Sequence, residues 1–297
     1  MERRREVLFT CLVLGLFSGV GWSADAPYFV TYSHKLEEPG NLEIATNQVI
    51  GSPRGVNTFL NTLLEMEYGV KSWWTTELYL SGQGTWNQGS IFTGYRIENR
   101  FRPLLREHWI NPILYLEWVD INGADKSLRE IVGHDGLEDQ LEPNSESRLE
   151  RKREVETKLI LSSNFHGWNV SENMIAEKVI NHPESWEFGY ALGISRPLAM
   201  KAKPYRCSFC AENFHVGVEM YGGLGTRHEF GLHDTSHYLA PAIAWTLPNN
   251  TTLEFSPGFG LNDHSHGVLW RFTVAHEFNQ FGRWLHSHAQ RSGRVSR

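Results

Sequence analysis

The chain has 297 residues, 40% of them hydrophobic, 21% charged and 12% aromatic, with a formal net charge of -6. This mildly acidic balance gives no basis for nucleic-acid binding, and a mean hydropathy of -0.39 excludes a bundle of membrane helices. Trp 11 and Gly 27 against Cys 3 suit strands with aromatic anchors better than a cytosolic enzyme.

The chain opens on Arg3, Arg4 and Arg5, continues with an apolar run from Val7 to Val20, and reaches the small residues Ser23, Ala24 and Ala26. Basic, then apolar, then small is the order of a secretory signal peptide, so residues 1–26 are expected to be removed. Cys11 lies inside this signal, and Phe9 and Thr10 before it make a poor lipoprotein site. Beyond it no run of about 18 apolar residues recurs, and no membrane helix is expected.

From about residue 41 the dominant period is two. About twelve segments follow, near 41–50, 57–68, 72–83, 92–103, 111–121, 152–164, 167–179, 185–196, 212–224, 236–247, 250–260 and 267–278. In the eighth, Trp186, Phe188, Tyr190, Leu192 and Ile194 share one face, and Glu187, Gly189, Ala191, Gly193 and Ser195 the other. Val268, Trp270, Phe272 and Val274 alternate with Arg271, Thr273 and Ala275 in the twelfth. Glu172 and Lys178 break the alternation in the seventh.

A soluble sandwich and a membrane barrel share this period, and three observations favour the barrel. Most segments reach the roughly 9–11 residues that a tilted strand needs to cross a bilayer, and their even number suits a bacterial barrel. With the N-terminus in the periplasm, turns near Gly69–Lys71, His166–Gly167 and Pro248–Asn249 fall on the periplasmic side, and the long polar connection Asn122–Arg151 falls outside. The connection Pro197–Ala211 is long for a periplasmic turn. Trp74, Trp168, Trp245, Tyr68, Phe101, Phe214 and Phe278 sit at one set of strand ends, and Trp118, Trp186 and Trp270 at the other. Two aromatic girdles mark the two headgroup levels. The expectation is an all-β, antiparallel up-and-down transmembrane β-barrel over residues 27–278, with a basic tail over 279–297. It places the chain in a Gram-negative outer membrane, in contact with membrane lipid and the outer-membrane assembly machinery.

Residues 212–278, with Tyr238-Leu239-Ala240-Pro241 on one strand and Pro257-Gly258-Phe259-Gly260-Leu261-Asn262 before the last, and Tyr32–Asn47 with Glu37-Glu38-Pro39-Gly40 and Leu42-Glu43-Ile44-Ala45, carry a resemblance. The chain resembles the outer-membrane transporters grouped with the MetA pathway of phenol degradation. The resemblance implies a barrel, passage of small hydrophobic or aromatic solutes, and no catalytic residues. The sequence departs from the pattern in running past Phe278 to Arg297.

The alternation turns many charges inward: Glu43, Glu65, Glu67, Glu77, Glu98, Glu117, Glu154, Glu156, Glu187, Glu219, Glu254 and Glu277, with Arg96, Arg100, Lys158 and Arg271. Facing lipid, they would each be costly. They read either as a constriction that favours cations or polar solutes or as a salt-bridge network filling a narrow barrel. His228, His233 and His237 in one external loop and Asp263, His264 and His266 in another could hold zinc or copper, but their spacing matches no strict ligand motif and solvated loop histidines are the plainer reading. Cys207 and Cys210 form a CxxC with no βαβ context, which leaves a local disulfide or two idle thiols. A lipid hydrolase needs a serine and histidine together at the membrane edge. Ser265 beside His264 and His266, and Ser236 beside His237, are adjacent in sequence, and neighbours on a strand point to opposite faces. The sequence therefore predicts a non-enzymatic channel or transporter for small solutes, without a cofactor. A closed barrel with no conducting path is the main alternative.

Overall fold

The computed structural model describes residues 26–52, 57–126, 142–201 and 207–283. The signal-peptide expectation lies outside these residues, as does most of the basic tail. Twelve strands form one closed antiparallel barrel: β1 (Leu42–Gly51), β2 (Phe59–Lys71), β3 (Trp74–Thr85), β4 (Gly89–Phe101), β5 (Asn111–Asn122), β6 (Arg151–Phe165), β7 (Trp168–Val179), β8 (Trp186–Pro197), β9 (Phe214–Thr226), β10 (His237–Thr246), β11 (Thr251–Gly260) and β12 (Val268–Phe278). Each pairs with its neighbour in sequence, and β1 closes on β12 from Leu42↔Phe278 to Gly51↔Leu269. Here "near end" denotes the end where β1 begins and β12 finishes, and "far end" the other.

The second turn is a correction. Gly69 and Lys71 belong to β2, and the chain reverses at Ser72–Trp73, because the ladder to β3 continues past a register shift between Gly69 and Lys71.

The exterior is apolar and the interior charged. On β5, Leu114 is 52% and Leu116 48% exposed, whereas Glu117 is 2% exposed. A soluble sandwich has the reverse pattern. Here the outward row meets lipid and the inward row is satisfied by other protein groups. Trp168 and Phe278 face outward at the near end, and Trp118, Trp186 and Trp270 toward the far end. Glu172 and Lys178 lie on the outward row of β7, and Lys178 donates to the Glu184 carbonyl.

The barrel is not empty. Residues 26–41, which precede β1, run inside it as a strap. They rise along β7–β9, cross the lumen and return to the near end, where Gly40 N donates to Gly69 O at 2.7 Å. At the far end the start of the long β5–β6 connection also folds inward. Ala124, Asp125 and Lys126 are buried, and Asp125 accepts from Asn61 at 3.2 Å, Ser81 at 2.7 Å and Thr93 at 2.9 Å.

Cys207 and Cys210 form a disulfide in the connection between β8 and β9. It displays Phe209, whose ring lies 4.4 Å from that of Trp245, while Trp245 Nε1 donates to Ser208 O at 2.7 Å. The disulfide turn at 207–210 therefore lies against the outer wall and adds an aromatic ring to that girdle.

Candidate functional site: the lumen

Strand pleating places alternate residues of β2–β6 inside, and their charges meet in one network. Arg100 Nη2 donates to Glu67 at 2.6 Å and to Glu77, and its Nε lies 3.0 Å from Glu98. Arg96 pairs with Glu117 at 3.2 Å, and Lys158 with Glu156 at 2.8 Å. Cations also stack on tyrosines. Lys158 Nζ is 4.2 Å from the Tyr115 ring centre and Arg96 is 4.4 Å from that of Tyr79, contacts that favour cations removed from water. Buried charges paired in this way are expensive to orphan.

The strap completes this wall. Glu219 on β9 accepts three successive backbone N–H groups, from Phe29 at 3.1 Å, Val30 at 3.0 Å and Thr31 at 2.9 Å. Asn173 on β7 accepts from Tyr32 N at 2.6 Å and donates to Tyr32 O at 2.9 Å. Tyr32 reaches Glu98 at 3.0 Å, and His34 Nδ1 meets Ser162 at 2.8 Å. Burial holds the His34 imidazole below its ordinary range, against the opposing pull of Glu107. Gly193 is required on β8 because a Cβ there would lie 2.7 Å from the Tyr28 ring.

Between the strap and the barrel wall a cavity of about 720 Å³ remains. Glu43, Glu65, Glu67, Glu254 and Glu277 line it from β1, β2, β11 and β12, with Arg271 and Thr273. Carboxylate oxygens of Glu43, Glu65 and Glu67 lie within 4.8 Å of one another. Asn47 donates to Glu65 at 2.6 Å and Asn41 to Glu277 at 2.6 Å. Arg271 lies 3.8 Å from Glu219, joining this wall to the strap's anchor. Glu77, Arg96, Arg100, Glu117, Glu154, Glu156 and Lys158 also border the cavity, while Glu98 lies behind it in the network. Glu187 faces inward at the far rim and does not line it.

The described histidine-loop residues do not bring three ligating side chains together. Among the described residues, only Glu43, Glu65 and Glu67 bring three ligating side chains together. His228 and His233 are exposed, and His264 pairs with Asp234 at 3.5 Å, with Asp263 beside it exposed. His237 and His266 are not solvated, which corrects that expectation. His237 Nδ1 lies 3.0 Å from Tyr190 Oη and Nε2 3.0 Å from Thr235, over Gly222, whose missing side chain leaves room for the ring. His266 is buried against Phe59, and burial together with nearby Lys126 pushes its pKa down to about 4. Neither serine is offered to the membrane edge. Ser265 is buried, donates to His237 O at 2.9 Å and accepts from His237 N at 2.8 Å, and Ser236 is buried.

Sequence reasoning missed the strap and its wall partners Asn169, Asn173 and Ser162. The available signal was the run of small or short polar residues on the inward faces of β7–β9, Ser171, Gly193, Ser195 and Gly217, which a wall needs where a second chain segment lies against it.

No family model and no curated protein matches the chain. Among solved structures it is similar to the COG4313 outer membrane channel from Pseudomonas putida F1, with 11% identity over 86% of this chain and 100% of that chain, at a TM-score of 0.53. It is more distantly similar to the NanC porin, with 8% identity over 79% of this chain and 97% of that one, at 0.45. LpxR from Salmonella typhimurium matches at 9% identity over 79% and 99%, at 0.39. The fold and the apolar exterior are those of a bacterial outer-membrane β-barrel.

Proposed function

We propose that the chain is a non-enzymatic outer-membrane channel for small solutes that favours cationic and polar species. Its near end faces the periplasm and its far end the outside. The observation that carries the reading is the excess of carboxylates over cations in the cavity lining. Glu43, Glu65, Glu254 and Glu277 line it from the β11–β12–β1–β2 wall beside Arg271, and Glu154 adds to Glu67, Glu77, Glu117 and Glu156, which share Arg96, Arg100 and Lys158. Rings of carboxylates in a narrow pore attract cations and repel anions. The same lining argues against the hydrophobic or aromatic solutes that the sequence resemblance implies. Tight turns after β2, β6 and β10 at the near end, against the long β5–β6 connection at the far end, support the orientation, and the longer near-end connections after β4 and β8 count against it.

Reconstitution in planar bilayers under a salt gradient tests this. The reversal potential should report cations as several-fold more permeant than anions, and Glu43→Gln with Glu65→Gln should reduce that ratio without loss of the folded barrel. Anion preference, or a folded barrel that passes no ions, would overturn the reading.

A further inference from the structure

The far rim of β5–β7 carries positive charge on its outward side, at the level where lipid headgroups lie. One rung of paired residues there runs Trp118, Val155, Lys178, Trp186 across four strands. Its two tryptophans belong to the outward aromatic girdle, so this rung marks the border of the hydrocarbon. The next outward residue along β6 is Arg153, and the one after is Arg151, each step about 7 Å further from the membrane centre along the strand. Arg151 Nε donates to Asp120 at 2.5 Å, and Arg153 Nε lies 3.4 Å from the other Asp120 oxygen. Two guanidinium groups share one carboxylate, so positive charge remains, and their side chains are 60% and 50% exposed.

The backbone under both arginines is fixed. Arg153 N donates to the Asn181 side chain at 2.8 Å, Asn181 Nδ2 donates to Arg151 O at 2.6 Å, and Ile180 N donates to Arg153 O at 2.8 Å. Lys178 spends its ammonium on a carbonyl, which does not neutralise it. Directly below this rim the wall is apolar, with Leu159 and Met174 exposed above the outward Glu172. Phosphate above hydrocarbon chains is the amphiphile that matches such a wall, because guanidinium groups pair with phosphate through charge-assisted hydrogen bonds.

We infer that this rim binds the phosphate groups of a phosphorylated glycolipid in the external leaflet. The inference rests on the outward orientation of the far end and not on conduction. The full chain, folded in detergent micelles, is titrated with bis-phosphorylated lipid A, and binding is read as a rise in the temperature at which the folded gel band converts to the unfolded one. Arg151→Gln with Arg153→Gln should keep the folded band and require at least about ten-fold more lipid A, equivalent to about 1.4 kcal/mol. Should that pair not fold, Arg151→Gln alone should weaken binding several-fold. Lys71→Gln, on the opposite rim beside Trp73, should leave the titration unchanged. The inference is overturned if the arginine variants titrate like the parent, if Lys71→Gln weakens binding as much, or if dephosphorylated lipid A or phosphatidylglycerol vesicles serve equally well. None of these readouts measures conductance, so the channel reading stands or falls separately.

Discussion

The two halves of the lumen wall use the same residue type for different ends. Between β3 and β9, glutamates are consumed: Glu77 and Glu98 by Arg100, Glu117 by Arg96, Glu156 by Lys158, and Glu219 by the strap's backbone. Around the β1–β12 seam, Glu43, Glu65 and Glu254 border open space. A bond to a buried cation or to the strap's backbone separates a carboxylate that holds the barrel's filling in place from one whose main surroundings are the cavity. The sign and position of the residue alone do not.

The comparison breaks most sharply at Arg100. Arg100→Ala leaves Glu67, Glu77 and Glu98 without their shared cation, and removing one partner of buried ion pairs costs about 3–5 kcal/mol. The folded band should be lost or convert at a much lower temperature, whereas Glu43→Ala, on β1 beside Glu67 and at the edge of the cavity, should move it far less. If the two variants behave alike, the halves are equivalent and the distinction fails.

Glu219→Ala has the next largest effect. Three backbone donors lose a charged acceptor, but the released strap can turn those N–H groups to water, which keeps the loss below that at Arg100. The barrel should persist with the strap detached, so trypsin should nick the folded protein at Lys35 and conductance should rise several-fold. Continued protection of Lys35 would show that Asn173 and Tyr32 suffice to seat the strap.

The smallest effect concerns the far end and its pH dependence. His266 is held neutral with a pKa of about 4, against about 6.5 for a free imidazole. The open form therefore takes up the proton more readily, and stability conferred above pH 6.5 is lost progressively as pH falls toward 4. The conversion temperature should decline over that window, and His266→Phe should flatten the decline. An unchanged slope in the variant would assign the acid response to other groups.

The barrel was legible because lipid imposes a strict inside-outside alternation on every strand. Trp186 to Ser195 shows it with no knowledge of its neighbours, and the even count and the girdles followed from the same rule. Even Glu172 and Lys178, which break the pattern, left β7 in place, since pairing with β6 and β8 outweighs two poorly placed side chains. The strap was illegible for the opposite reason. Residues 27–41 have no periodicity, and their partners are side chains 141 and 189 positions away, at Asn173 and Glu219. A glutamate that caps a peptide and a glutamate that lines a pore read identically on a strand. A solvated loop histidine and one buried beneath a loop read alike in sequence, because the folding of both loops back over His237 and His266 is a tertiary event.

The seam at Leu42↔Phe278 has a kinetic consequence. Every other strand pair joins sequence neighbours and can zip locally, but this one closes a loop of the whole barrel sequence. Loop-closure entropy must be overcome before those contacts repay it. Until then both β1 and β12 carry unpaired edges, which invite pairing with foreign strands. Ring closure is thus the slow, aggregation-exposed step of maturation. A catalyst of assembly would contribute most to this chain by shielding those two edges until they meet.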